Sequence, residues 1–346
     1  MLIKEVAEKL NTTARSIRFY EEKGLISPKK DEENDYRYFT EKDLLRLSTI
    51  LALREVGFPV NEIKVLLEDP SMSIQQYLNI QRSALYEKWI EMRDMIETID
   101  EMVDRTTEDS YLPKDFYALA QHLKNLKSIR KNWTDRWNFD QQASDYDENI
   151  KKQGFSFNVH EGYDQALARI VEKTSLQPGN TCLDIGIGTG NLGSKFLQDG
   201  IKVIGVDQSE KMLEKCKEKH PQIETRKGHF LALPILDHSV DAVVSSYALH
   251  HLPDEEKVIA LEEMTRVLKP NGQICIADLM FTDKVHREKV IADFQAVGNQ
   301  IAIECIADEY YADRSLLTNW FSNCGYQIES YQFNRILGMI YARRHK

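Results

Sequence analysis

Apolar positions at the start of the chain recur at helical spacing. Leu2, Ile3, Val6, Ala7 and Leu10 form one face, Asn11 and Thr12 interrupt it, and Ile17, Tyr20 and Leu25 begin a second face around Gly24. Two short helices joined by a tight polar turn make a helix-turn-helix unit. A polar, hairpin-like stretch over 31–39 follows. A helix then starts at Thr40, whose side chain can cap it together with Asp43, and runs to Gly57; Pro59 opens another over 60–67. Over 71–105, Ile74, Leu78, Gln81, Leu85, Lys88, Met92, Met95 or Ile96, Ile99 and Val103 keep a heptad rhythm, which predicts one long helix whose apolar seam must pair. A polar linker over 106–113 and a helix over 115–130 lead into the second half.

From residue 162 the pattern changes to alternating strands and helices. The elements read as a helix over 163–173, a strand entering the loop at 186–190, a strand over 202–206, a helix over 210–219, a strand ending at Lys227, strands over 241–246 and 273–277, and a closing antiparallel pair over 327–333 and 336–342. Such alternation predicts a parallel sheet with right-handed crossovers and a ligand across the carboxyl ends of its first strands. The stretch over 181–190, TCLDIGIGTG, organises this half. Asp184 is followed by Gly186, Gly188 and Gly190, and glycine lets backbone pass close to a ligand. Asp207 ends the next strand, where an acid takes both hydroxyls of a ribose. There is no P-loop lysine.

These residues resemble the S-adenosylmethionine (SAM) site of class I methyltransferases. The resemblance implies SAM as cofactor, with the glycine loop under its amino-acid part and Asp207 on its ribose. Two later motifs strengthen it. Lys227-Gly228-His229-Phe230 stands where the family usually has an Asp binding the adenine amino group; here His229 takes that place, and Phe230 is placed to pack on the ring. YALHHLPDEEK and the later Lys-Pro-Asn-Gly are similar to small-molecule methyltransferases, while the amino-DNA and cytosine methyltransferase motifs are missing. A small-molecule methyl acceptor is therefore expected. Methyl transfer is an in-line displacement that needs alignment more than a strong base. His250 and Tyr247, at the carboxyl end of the sheet, are the candidates for orienting or deprotonating the acceptor. By the same resemblance, the aromatic stretch before the core, with Trp137 and Tyr146, folds over the substrate.

The N-terminal segment resembles the MerR family of transcription regulators, through IRFYEEKGLISP at the second helix, YRYF on the return arm and REVGFPVNEIKVLL after it. The resemblance implies a winged helix-turn-helix that meets promoter DNA through Arg15, Arg18, Tyr20, Tyr36 and Arg37. It also implies a homodimer paired through the 71–105 helix and RNA polymerase as a partner. Phe19 and Asp35 depart from the family pattern. Charge supports the DNA reading only locally. Residues 1–70 hold twelve basic and fourteen acidic side chains, yet 13–30 hold five basic against two acidic.

The full chain has 346 residues, 42% hydrophobic and 29% charged, with a net charge of −10. Its length suggests more than one domain. No apolar run is long enough to span a bilayer, and the N-terminus is amphipathic rather than signal-like, so a cytoplasmic protein with no membrane partner is expected. Five scattered cysteines without a C-x-x-C pair predict reduced, mostly buried thiols and no metal site. The expected fold is multidomain: an all-α winged helix-turn-helix domain (1–70), a long coiled-coil helix (71–105), a linker and bridging helix (106–134), and an α/β Rossmann-like methyltransferase domain with a mostly parallel seven-stranded sheet (135–346). Three functions fit: a DNA-binding regulator that also methylates, a SAM or S-adenosylhomocysteine sensor without catalysis, and a plain methyltransferase using its first domain to dimerise.

Overall fold

The computed structural model describes residues 1–30, 36–68, 74–106, 113–131, 133, 136–152 and 156–344. Asp35, the tip of the expected hairpin, the start of the 71–105 helix and most of the expected linker lie outside the described residues. Contacts divide the chain into two compact units, Met1–Ile80 and Gln81–Lys346.

The first unit holds α1 (Ile3–Lys9), α2 (Ala14–Glu22), the strands β1 (Lys29–Lys30) and β2 (Arg37–Tyr38), α3 (Glu41–Glu55) and α4 (Val60–Glu68). Thr13 caps α2 by accepting the Ser16 N–H, and Thr40 with Asp43 forms the expected capping box at α3. Val6, Ile17, Leu25, Leu47, Ile50 and Ile63 are fully buried and form its core. β1 and β2 pair antiparallel, so the unit is not purely helical.

α5 (Ile74–Thr106) runs from the first unit into the second, and is followed by α6 (Pro113–Lys131), α7 (Phe139–Gln142), α8 (Tyr146–Lys151) and α9 (Tyr163–Thr174). Then come β3 (Thr181–Ile185), α10 (Gly193–Leu197), β4 (Lys202–Asp207), α11 (Glu210–Lys219), β5 (Glu224–Lys227), β6 (Val240–Ser246), α12 (Asp254–Val267) and β7 (Leu268–Phe281). α13 (Lys284–Ala296), α14 (Gln300–Asp308), β8 (Ala312–Asp313), α15 (Arg314–Asn323), β9 (Tyr326–Gln332) and β10 (Leu337–Arg344) complete the chain.

The strand order β5-β4-β3-β6-β7-β10-β9 is a Rossmann-like sheet, parallel from β5 to β7 and antiparallel through β10 and β9. The short β8 also pairs with β7, so the sheet has eight strands rather than the expected seven. The Lys-Pro-Asn-Gly segment, where the sequence ends a helix before the strand, lies inside β7 as an irregularity: pairing with β6 passes from Leu268 to Gln273. Buried Val, Ile, Leu and Met side chains on both faces, such as Leu183, Val243 and Ile276 on one and Cys182, Val244 and Leu279 on the other, explain why these strands read as continuous apolar runs. No helix among the described residues is long and apolar enough to cross a membrane.

From Gln81 onward one side of α5 is tied to this sheet domain. Ser83 donates to the Lys227 carbonyl and Arg82 pairs with Glu224 at 3.4 Å, both at the edge strand β5. The guanidinium groups of Arg93 and Arg266 stand 5.9 and 5.2 Å from the Trp89 ring centre. Asp94, 6% exposed, takes Arg93 at 2.9 Å and also Arg130 of α6. The heptad seam faces elsewhere: Leu85, Met92, Ile96, Ile99 and Val103 are all more than half exposed.

Candidate functional site

β3 delivers the chain into a loop where Gly186, Gly188 and Gly190 all have positive φ, at 71°, 53° and 91°. A Cβ on Gly186 would stand 2.4 Å from the Ala248 Cβ, so only hydrogen fits between this loop and the one after β6. Asp207 Oδ2 accepts the Gly188 N–H at 2.8 Å, and Oδ1 accepts the Ser209 N–H at 2.9 Å. The acid thus anchors the glycine loop and the start of α11. These elements wall a cavity at the carboxyl ends of β3 to β6.

Seven of the residues expected from sequence line this cavity: Tyr146, Gly186, Gly188, Asp207, His229, Phe230 and Tyr247. Four do not. Asp184 is fully buried behind the loop; burial raises its carboxyl well above the usual range, Asp207 adds to this, and the Gly193 N–H only partly opposes it. Gly190 faces His220 and Cys216, at 2.8 and 2.9 Å from a hypothetical Cβ. Trp137 packs against His251, ring centres 4.4 Å apart, and His250 is buried under the loop.

His229 stands at one end of the cavity, stacked on Trp133 at 5.5 Å between ring centres. Its Nδ1 accepts the Leu231 N–H at 3.3 Å, which assigns the ring proton to Nε2. Burial, aided by the Arg130 charge, lowers its pKa to about 4, so it is a neutral donor where a carboxylate acceptor is usual. Trp133 itself donates to Gln208 Oε1 at 2.8 Å.

The loop after β6 is shaped by Asp278 of β7. One of its oxygens accepts the N–H groups of Ala248, Leu249 and His250, and the other meets His250 Nδ1 at 2.5 Å. Burial opposes a charge on His250, but the Asp278 carboxylate, by charge and hydrogen bond, and then Glu309 raise its pKa. Tyr247 adopts φ 51° and buries a hydroxyl that has no partner among the described residues. His160 and Tyr163 pack against its ring at 5.5 and 5.1 Å.

The segment before the core is strapped over this region. Asp140 of α7 accepts from Ser209 Oγ at 2.6 Å and from the Lys211 N–H at 3.2 Å. Asp147 of α8 accepts from Thr189 at 2.6 Å, Asn191 at 2.9 Å and Lys219 at 2.7 Å. Sequence reasoning did not assign Gln208 or Asp278 to the site, and it preferred His250 over His251. Gln208 follows Asp207 directly and His251 follows His250, which were the available signals.

In the first unit, Arg15 and Arg18 are exposed on α2 and Tyr36 is 61% exposed. Arg37 is bound by Glu21, with Nε at 2.9 and 2.7 Å from the two carboxylate oxygens. Tyr20, expected on the DNA side, is 7% exposed and belongs to the core; the exposed aromatic beside it is Phe19, at 41%.

The sequence profile of the methyltransferase domain family matches residues 182–272, and that of the MerR helix-turn-helix regulatory family matches residues 1–69. An uncharacterized methyltransferase of Oceanobacillus iheyensis is 33% identical over 207 residues, covering 60% of this chain and 95% of that protein. One of Alkaliphilus oremlandii shows the same identity, 33%, over the same shares, 60% and 95%. Among solved structures, the YcgJ protein of Bacillus subtilis covers 53% of this chain and 99% of its own at 18% identity, with a TM-score of 0.44. The chain belongs to the methyltransferase family of these relatives and carries a MerR-type helix-turn-helix in its first 69 residues.

Proposed function

We propose that this protein is a DNA-binding regulator whose second unit binds SAM and methylates a small molecule. The observation that carries the reading is the cavity where the glycine loop, Asp207 and Phe230 meet: a ribose at Asp207 puts a purine beside Phe230 and His229, and the amino-acid end at Gly186 and Gly188. Asp184, whose carboxyl burial behind the loop raises well above its usual range, and Gly190, which fixes its last turn, act as supports. The rings of Tyr146 and Tyr247 offer faces to a sulfonium, with Trp137 holding the covering segment through His251. His250, oriented by Asp278, and the Tyr247 hydroxyl are the groups proposed to align the acceptor.

On the DNA side, Arg15, Arg18, Tyr36 and Arg37 form the proposed contact surface, with β1 and β2 as the wing and Tyr20 supporting it from the core. The exposed seam of α5 pairs with a second copy, and the proposed domain bounds are 1–70, 71–105, 106–134 and 135–346.

Calorimetric titration with SAM and with S-adenosylhomocysteine tests the reading. Micromolar binding by the wild type that is lost in Asp207→Ala is expected, with Asp207→Asn as a control that keeps one acceptor oxygen for the loop. Absence of binding by the wild type overturns it. A non-catalytic sensor is the second reading, favoured by the neutral donor His229 at the purine end. It predicts tight binding of either ligand without methyl transfer to any acceptor.

A further inference from the structure

We propose that His250, His251 and Glu309 hold a divalent transition-metal ion at the wall of the cavity. One nitrogen of each histidine and one Glu309 carboxylate oxygen all lie within 4.8 Å of one another. Ligands sharing one ion at bonds of about 2.1 Å stand roughly 3 to 3.5 Å apart, so a small closure of the three side chains suffices.

The protonation pattern supports this. Asp278 Oδ1 takes the Nδ1 proton of His250, and its other oxygen is pinned by three backbone N–H groups, so the carboxylate is fixed in place. The Nε2 lone pair of His250 is thereby turned toward Glu309 Oε2, 3.4 Å away. Two acceptors facing each other at that distance need either a proton or a cation between them, and the metal supplies the cation. A carboxylate behind a histidine is also the arrangement that orients imidazole ligands and makes them more basic. Independently, His251 buries an Nδ1 that has no hydrogen-bond partner among the described residues, at a cost that an ion or a proton donor would remove.

The donor set identifies the ion's class. Two imidazoles and one carboxylate suit zinc, cobalt, nickel or iron, whereas magnesium and calcium prefer oxygen alone. Three protein ligands leave a position open, and His251 lines the cavity, so a water or an acceptor atom can complete the shell. With the ion bound, the His250 lone pair serves the metal rather than an acceptor proton. The buried thiols do not compete, because burial raises the pKa of Cys182, Cys216 and Cys275.

Full-length protein stripped with a chelator and titrated with Co²⁺, read by its visible d–d absorption, tests the proposal without any nucleotide. It therefore stands or falls apart from the SAM reading. One Co²⁺ per chain, displaced by Zn²⁺, is expected, with affinity falling more than about tenfold in Glu309→Gln and in His251→Phe, which keeps the ring contacts with Trp137 and Phe139. No uptake by the wild type, or equal affinity in both variants, overturns it and leaves a proton shared between His250 and its two carboxylates.

Discussion

Asp94→Leu tests how α5 is fastened to the methyltransferase sheet. The carboxylate is 6% exposed, and its partner Arg130 keeps only 11% side-chain exposure. Without Asp94, the Arg130 guanidinium retains the Leu231 carbonyl, at 2.9 Å from Nε, but no paired acid. Arg93 is better insured, with Glu263 at 3.4 Å and Glu97 at 3.5 Å. Leaving one buried charge unpaired costs about 3 to 5 kcal/mol, whereas a pair such as Arg82 with Glu224, 33% and 50% exposed, contributes about 0 to 1 kcal/mol. Asp94→Leu should therefore cost about 3 kcal/mol, Glu224→Gln under about 1 kcal/mol, and the double variant Asp94→Leu with Arg130→Met much less than the single one. Tryptophan fluorescence in a denaturant titration isolates the effect, because all four tryptophans, Trp89, Trp133, Trp137 and Trp320, lie in the second unit. A cost for Asp94→Leu no greater than that of Glu224→Gln refutes the argument. Since Leu231 follows His229 and Phe230 of the cavity wall, the same variant should also weaken S-adenosylhomocysteine binding in calorimetry.

Three further outcomes follow from the site and the seam. Gly186→Ala forces an alanine to φ 71° and drives its Cβ toward Ala248, at 2.4 Å; a left-handed penalty of about 1 to 2 kcal/mol plus the overlap should reduce S-adenosylhomocysteine affinity at least about tenfold by calorimetry. His229 and His160 are both lowered by burial from 6.5 to about 4, so the unfolded chain takes up protons first as pH falls. Stability is then full above pH 6.5 and lost toward pH 4, by about 3 kcal/mol per residue, and fluorescence-detected melts of His229→Gln and His160→Gln should show a flatter pH dependence. Replacing exposed Leu85 and Met92, 55% and 58% exposed, by Glu should convert a dimer to a monomer in analytical ultracentrifugation; an unchanged mass would refute pairing through this seam.

What the sequence exposed were features whose physics is local. The positive φ of Gly186, Gly188 and Gly190, the acid ending β4 and the Thr40 capping box each need a particular residue at a particular place, so composition alone betrays them. The heptad seam was legible for the same reason, because exposure alternates within one helix. Tyr20 shows how periodicity and analogy diverge. Its spacing from Ile17 puts it on the apolar face of α2, where the structure has it, while family analogy moved it to the surface in place of Phe19. α13 offered little pattern to read, since it buries only Val290. Lys-Pro-Asn-Gly, where the sequence ends a helix, lies within β7, yet pairing with β6 skips from Leu268 to Gln273 and Asn271 takes φ 67°, so its local turn chemistry survives inside the strand. The least legible residues are those whose role exists only across distance. Asp278 reaches His250 over 28 residues and Arg130 reaches Asp94 over 36. Neither pair shares a period or a motif, yet one shapes the loop carrying the candidate acceptor-binding groups and the other ties α5 to the cavity wall. A buried charge announces itself only once its partner is placed, which is why Asp94 with Arg130, rather than the glycine loop, carries the sharpest test.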